Sequence, residues 1–175
     1  HAIGVLALCD FAVTDQELAD IMPEVAPRLR KTLSTLSPVL DSVPGLGGLK
    51  VHHESFARFL LRDEGASWIL LVRQKVAAWL ERQGVYSDAR AFRHLPALLA
   101  ETDRYEDFCH LTGPDFVVRS ITTLQPPNAI RNWIGSLALE AKVRQDWPTL
   151  IRCQQLRHAV ERYEEESLPD SLMRY

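Results

Sequence analysis

Ile3, Val5, Leu6 and Leu8 open the chain as a short apolar helix. Thr14-Asp15-Gln16-Glu17 follows as a capping box, a hydroxyl residue with glutamate three positions on, and starts a second helix. That helix turns Leu18 and Ile21 inward and stops near Pro23. A third helix is predicted from about Pro27 to Leu36, with Leu29, Leu33 and Leu36 on one face and Pro38 ending it. Val39 to Val43 and Leu49 to His52 are β-prone runs on either side of Pro44-Gly45-Leu46-Gly47-Gly48, the pattern of a hairpin. A fourth helix begins around Glu54 and carries Phe56, Phe59 and Leu60.

Three helices, a hairpin and a closing helix are the element order of a winged helix, so residues 1–62 are expected to be one such domain. From Asp63 onward the pattern is helical throughout. Trp68, Leu71, Val72, Val76, Trp79 and Leu80 make a stripe that ends at Gly84, a C-cap residue. Ala89, Phe92, Leu95, Leu98 and Leu99 make the next, with Pro96 as the point of a kink. Tyr105, Phe108 and Leu111 make a short third, closed by Gly113-Pro114. Phe116 to Leu124 reads as helix, although Val117, Val118 and Ile121 leave a strand open. Pro126-Pro127 starts a helix with Ile130, Trp133, Ile134, Leu137 and Val143 inward, and Pro148 starts a last one with Leu150, Ile151, Leu156 and Val160. Glu164 to Tyr175 reads as a solvated, fraying end. Helices joined by short turns lie antiparallel. Leu98 to Tyr105 has the character of a helical-repeat turn. The fold class expected is therefore mainly α: a winged-helix domain with a small β-hairpin over 1–62, then a superhelical, TPR-like region of antiparallel helical hairpins over 63–175.

Composition narrows the function classes. The 175 residues are 46% hydrophobic and 25% charged, the balance of a packed globular protein. The net charge of -3 argues against a dedicated nucleic-acid or membrane binder. No apolar run approaches the ~18 residues of a membrane span. Cys9, Cys109 and Cys153 form no CxxC pair and are expected to be reduced, buried thiols of a cytoplasmic protein. The chain begins with His1, not Met, and runs straight into helix, so native sequence is expected to precede it.

No catalytic or metal site is expected. His52-His53-Glu54 is the densest polar cluster, but adjacent strand residues point to opposite faces and the spacing is not HExxH. Cys109 beside His110 fails as a nucleophile and base because helix neighbours do not face each other. Phosphate-binding loops, dinucleotide fingerprints and GxSxG elbows do not occur. Were the winged helix to bind DNA, Arg28, Arg30 and Lys31 on the third helix and Lys50 on the wing would make the contacts. Residues 1–62 hold seven acidic and six basic side chains, however, thin support for phosphate neutralisation.

Val51-His52-His53-Glu54-Ser55-Phe56-Ala57-Arg58-Phe59-Leu60-Leu61 resembles the end of the winged-helix domain in STAND-type signalling NTPases of the NACHT and NB-ARC kind. There a hydrophobic strand leads into a histidine and a helix of the form His-x-Ser-Phe-x-x-Phe-Leu, matched by His53, Ser55, Phe56, Phe59 and Leu60. Plant members carry aspartate after the histidine; Glu54 is the NACHT-like form. The resemblance covers 1–62 closely and 63–175 in style. It implies that His53 contacts the phosphates of ADP held by an upstream NTPase domain of the same chain and helps keep the parent closed. ATP or ADP with Mg would be the parent's cofactors, none being bound by the segment itself. Protein triggers would act on the helices, and the parent would oligomerise. The alternatives are a winged-helix DNA-binding regulator with a helical tail and a passive helical scaffold.

Overall fold

The structure is a computed structural model and describes residues 2–43, 48–51, 54–62 and 65–167. It is mainly helical, with one small antiparallel sheet. The helices are α1 (Ala2–Leu8), α2 (Asp15–Ile21), α3 (Ala26–Leu36), α4 (Glu54–Arg62), α5 (Ala66–Gln83), α6 (Ala89–Glu101), α7 (Tyr105–Leu111), α8 (Phe116–Thr122), α9 (Pro127–Val143) and α10 (Trp147–Ser167). The strands are β1 (Leu40–Val43) and β2 (Gly48–Val51). Two compact units divide the chain, His1–Arg82 and Gln83–Tyr175. The first therefore takes in α5, beyond the expected boundary at residue 62.

In the first unit the capping box forms as expected. The Glu17 N–H donates to Thr14 Oγ1 at 3.2 Å, and the Thr14 N–H to Glu17 Oε2 at 2.9 Å. Two N–H groups that lack intrahelical partners are thereby satisfied. Leu18, Ile21, Leu29 and Leu33 are buried with Val5 and Leu6 of α1. A 3-10 turn, Ser37–Val39, carries Pro38 and separates α3 from β1. β1 and β2 pair in register Leu40–Val51 to Val43–Gly48. Val13, between α1 and α2, then exchanges both backbone bonds with Leu49, at 3.0 and 2.8 Å, on the other side of β2. Gly48 permits that approach, because a Cβ there would lie 2.9 Å from the Ala12 side chain and 3.2 Å from the Val13 nitrogen. α5 closes the unit with Val72, Val76, Trp79 and Leu80; the Trp79 ring stacks on Phe11, centroids 6.3 Å apart. Leu71, expected in that stripe, lies at its edge and is 46% exposed. Gly84, at φ 90, ends the helix.

The second unit is built on an aromatic cluster. Phe92 of α6, Phe116 of α8 and Trp133 of α9 meet at centroid distances of 5.1 to 5.9 Å, and Phe108 of α7 meets Trp133 edge-on at 5.8 Å. Burying such rings contributes ~1.5–3 kcal/mol each. Residues 116–122 are helical, so of the two readings left open the helix holds. Three inter-helix turns share one geometry. Asp103, Leu124 and Gln145 stand at φ 57, 59 and 58, and the next N–H in each returns 2.9 Å to a carbonyl five residues back: Arg104 to Leu99, Gln125 to Ser120, Asp146 to Ala141. This is the Schellman stop, which satisfies the last carbonyls of each helix. The same Asp146 opens α10, so three residues join α9 to α10 as an antiparallel hairpin. Val143 and Ile151, expected to face inward, are 73% and 61% exposed; with Leu139 and Trp147 they line the outer side of this hairpin.

Candidate functional site

Among the described residues, no group of three or more His, Cys, Asp and Glu is placed to hold a metal, and no helix is long and apolar enough to cross a membrane. His53 lies outside the described residues, in the connection from β2 to α4. α1, β2 and α4 border a cavity of about 490 Å3 lined by Leu6, Cys9, Lys50, Arg58 and Leu61, among others. Arg28 and Lys31 are exposed on α3 and line an open hollow of about 410 Å3; Arg30 lies on the same helix. Lys50 is engaged elsewhere, its Nζ 3.2 Å from both the carbonyl and the Oδ1 of Asp10.

The densest polar cluster of the second unit was not singled out by sequence. The Tyr105 hydroxyl donates to Asp146 Oδ2 at 2.7 Å, and Asp146 Oδ1 accepts from the Thr149 N–H at 3.2 Å. Bonds from Thr149 and then Tyr105 hold the Asp146 carboxyl below its usual range, while burial, and then the bond to Asp146, push the Tyr105 phenol well up. Cys109 Sγ stands 3.9 Å from Thr149 Oγ1. Burial raises the Cys153 thiol to about 11. All three cysteines are free; Cys9 and Cys153 are buried as expected, whereas Cys109 is half-buried. His110 lines a separate hollow with Ser87 and Arg119, so Cys109 and His110 form no catalytic pair. The Tyr105 phenol and the Asp146 carboxylate make a cap that ties α7 to the start of α10.

A groove of about 440 Å3 lies between α6 and α9. Phe92 and Trp133, each 1% exposed, form its floor with Pro96. Its rim carries Arg93 from α6 and Asn128, Asn132 and Ser136 from α9. No acidic residue lines it. The helices fix this pattern: 128, 132 and 136 recur at four-residue intervals, the spacing that keeps side chains on one face. Trp133 is locked below them, its indole N–H donating to Thr112 Oγ1 at 2.7 Å while that hydroxyl donates to the Phe108 carbonyl at 2.9 Å.

No family profile, curated protein or solved structure matches this chain.

The groove was legible only in part. Phe92 and Trp133 stand out as core aromatics, but the polar stripe above them belongs to two helices separated by α7 and α8, and no single-helix pattern joins Arg93 to Asn132.

Proposed function

We propose that this chain is the non-catalytic regulatory and interaction segment of a STAND/NACHT-like NTPase switch. The observation that carries the reading is the pairing of Val13 with Leu49. It adds the α1–α2 connection to the hairpin as a third strand position, and the order helix, strand, two helices, hairpin, helix supports the winged-helix reading. This is the domain to which the stretch from Val51 to Leu61 is similar. The second unit, with its recurring Schellman turns and antiparallel α9–α10 hairpin, supports a TPR-like region that captures a protein trigger.

In this reading His53 donates a ring N–H to an ADP phosphate of the upstream NTPase domain and holds the parent closed. Trigger capture by the helices and nucleotide at the NTPase domain each favour one of two states, and the coupling is reciprocal. The experiment is ADP release from the full-length protein carrying His53→Ala. Release about tenfold faster than wild type is expected for the loss of one charge-assisted phosphate bond. Unchanged release together with unchanged basal activity sinks the lock role.

A further inference from the structure

We propose that the groove between α6 and α9 binds an extended peptide segment bearing an acidic side chain. This deepens the partner-capture half of the reading above and does not rest on its nucleotide half.

The first observation is charge. Arg93 is exposed, and among the described residues its guanidinium has neither ion pair nor hydrogen bond. A groove with one uncommitted cation and no anion is complementary to a carboxylate, which guanidinium grips in a planar, two-bonded geometry.

The second is spacing. Asn128, Asn132 and Ser136 rise along α9 at intervals of about 6 Å. An extended peptide repeats the same side every ~6.7 Å. Successive α9 side chains therefore meet successive peptide groups on one edge of a bound strand. The Asn132 amide and Ser136 hydroxyl make no side-chain hydrogen bond among the described residues. An amide offers both donor and acceptor, the two functions a peptide group needs. Asn128 already accepts from Arg131 at 2.5 Å and keeps its NH2 group for a ligand.

The third is the opposite wall. Pro96 lies inside α6 and has no N–H to return to the carbonyl of Phe92. Both residues line the groove and give its α6 wall an apolar surface. An extended peptide supplies what each part lacks: an anion for Arg93, peptide groups for the amides and an apolar side chain for the floor.

The test probes the full chain against an immobilised library of short acetylated peptides. Each carries a C-terminal amide and is made with Asp or Glu, and again with Asn or Gln. Peptides retained are measured by fluorescence anisotropy and mapped by amide chemical shifts. The acidic forms are expected to bind about tenfold or more tightly than their amide counterparts. Arg93→Glu is expected to abolish binding, Arg93→Lys to keep part of it and Asn132→Ala to weaken it several-fold; both positions are exposed, so folding is not at stake. Retention of no library member, equal binding of acidic and amide forms, or indifference to Arg93→Glu overturns the proposal. Shifts that map to Leu139, Val143, Trp147 and Ile151 instead also overturn it, while leaving partner capture by the helical unit standing.

Discussion

The indole N–H of Trp133 donates to the hydroxyl of Thr112 at 2.7 Å, a bond between two fully buried side chains twenty-one positions apart. It fixes the ring that forms the floor of the α6–α9 groove, so a core interaction sets the shape of the proposed binding surface. Thr112→Val keeps the volume but strands a buried N–H. The expected loss is about 1–3 kcal/mol in urea denaturation, with Thr112→Ser closer to wild type. A valine variant as stable as wild type would show that the bond contributes nothing.

Leu124 occupies a left-handed position, φ 59, while 89% exposed, so its side chain gives little in return for the strain. Leu124→Gly is expected to stabilise the protein by roughly 0.5–1 kcal/mol, since the left-handed conformation costs an L-residue ~1–2 kcal/mol and glycine's extra chain entropy takes part of that back. Leu124→Val should do the opposite. A lower denaturation midpoint for the glycine variant would contradict the Schellman assignment.

What was legible in the sequence was what local chemistry writes. The capping box at Thr14 and Glu17, the stop at Gly84 and the core positions Leu18, Val76, Trp79, Phe92 and Trp133 need only their neighbours and a helical period. Leu98 to Tyr105 carries the character of a repeat turn around Asp103, whereas the turns at Leu124 and Gln145 carry no such signal, because neither residue is glycine. The Val13–Leu49 pairing was missed because one residue pair has no period. Leu71, Val143 and Ile151 were assigned inward because periodicity locates a stripe's centre but not how far its edges are covered.

Asp88 caps α6, accepting from the N–H groups of Arg90 and Ala91 at 2.7 and 3.3 Å and pairing with the Arg90 guanidinium at 2.8 Å. Burial alone would raise its carboxyl, but the bonds from Arg90 and Ala91 outweigh it and hold the pKa below the usual value. A depressed folded pKa contributes stability above the unfolded value, ~3.9, which is lost as pH falls through the lower folded value. Asp88→Asn still caps the helix but cannot titrate. Its urea midpoint is expected to fall less steeply than wild type between pH 5 and the acid limit. Parallel pH profiles would show that Asp88 does not contribute.

Cysteine labelling reads burial directly. Cys109, half-buried, is expected to react with iodoacetamide under native conditions, while Cys9 and Cys153, 3% and 2% exposed, react only on unfolding. The Cys153 thiol, raised to about 11, adds a second barrier, because the thiolate is the reactive form. Native labelling of Cys153 at the rate of Cys109 would contradict this packing of α10.

The proposed place of this chain in an NTPase switch is tested most directly by the native reading frame on the amino-terminal side of His1. The predicted result is a phosphate-binding loop of the form GxxxxGKS or GxxxxGKT after a β-prone run, followed by an acidic strand end before His1. A frame that reaches its start codon without such a loop contradicts the switch and leaves the helical unit as a partner-binding scaffold.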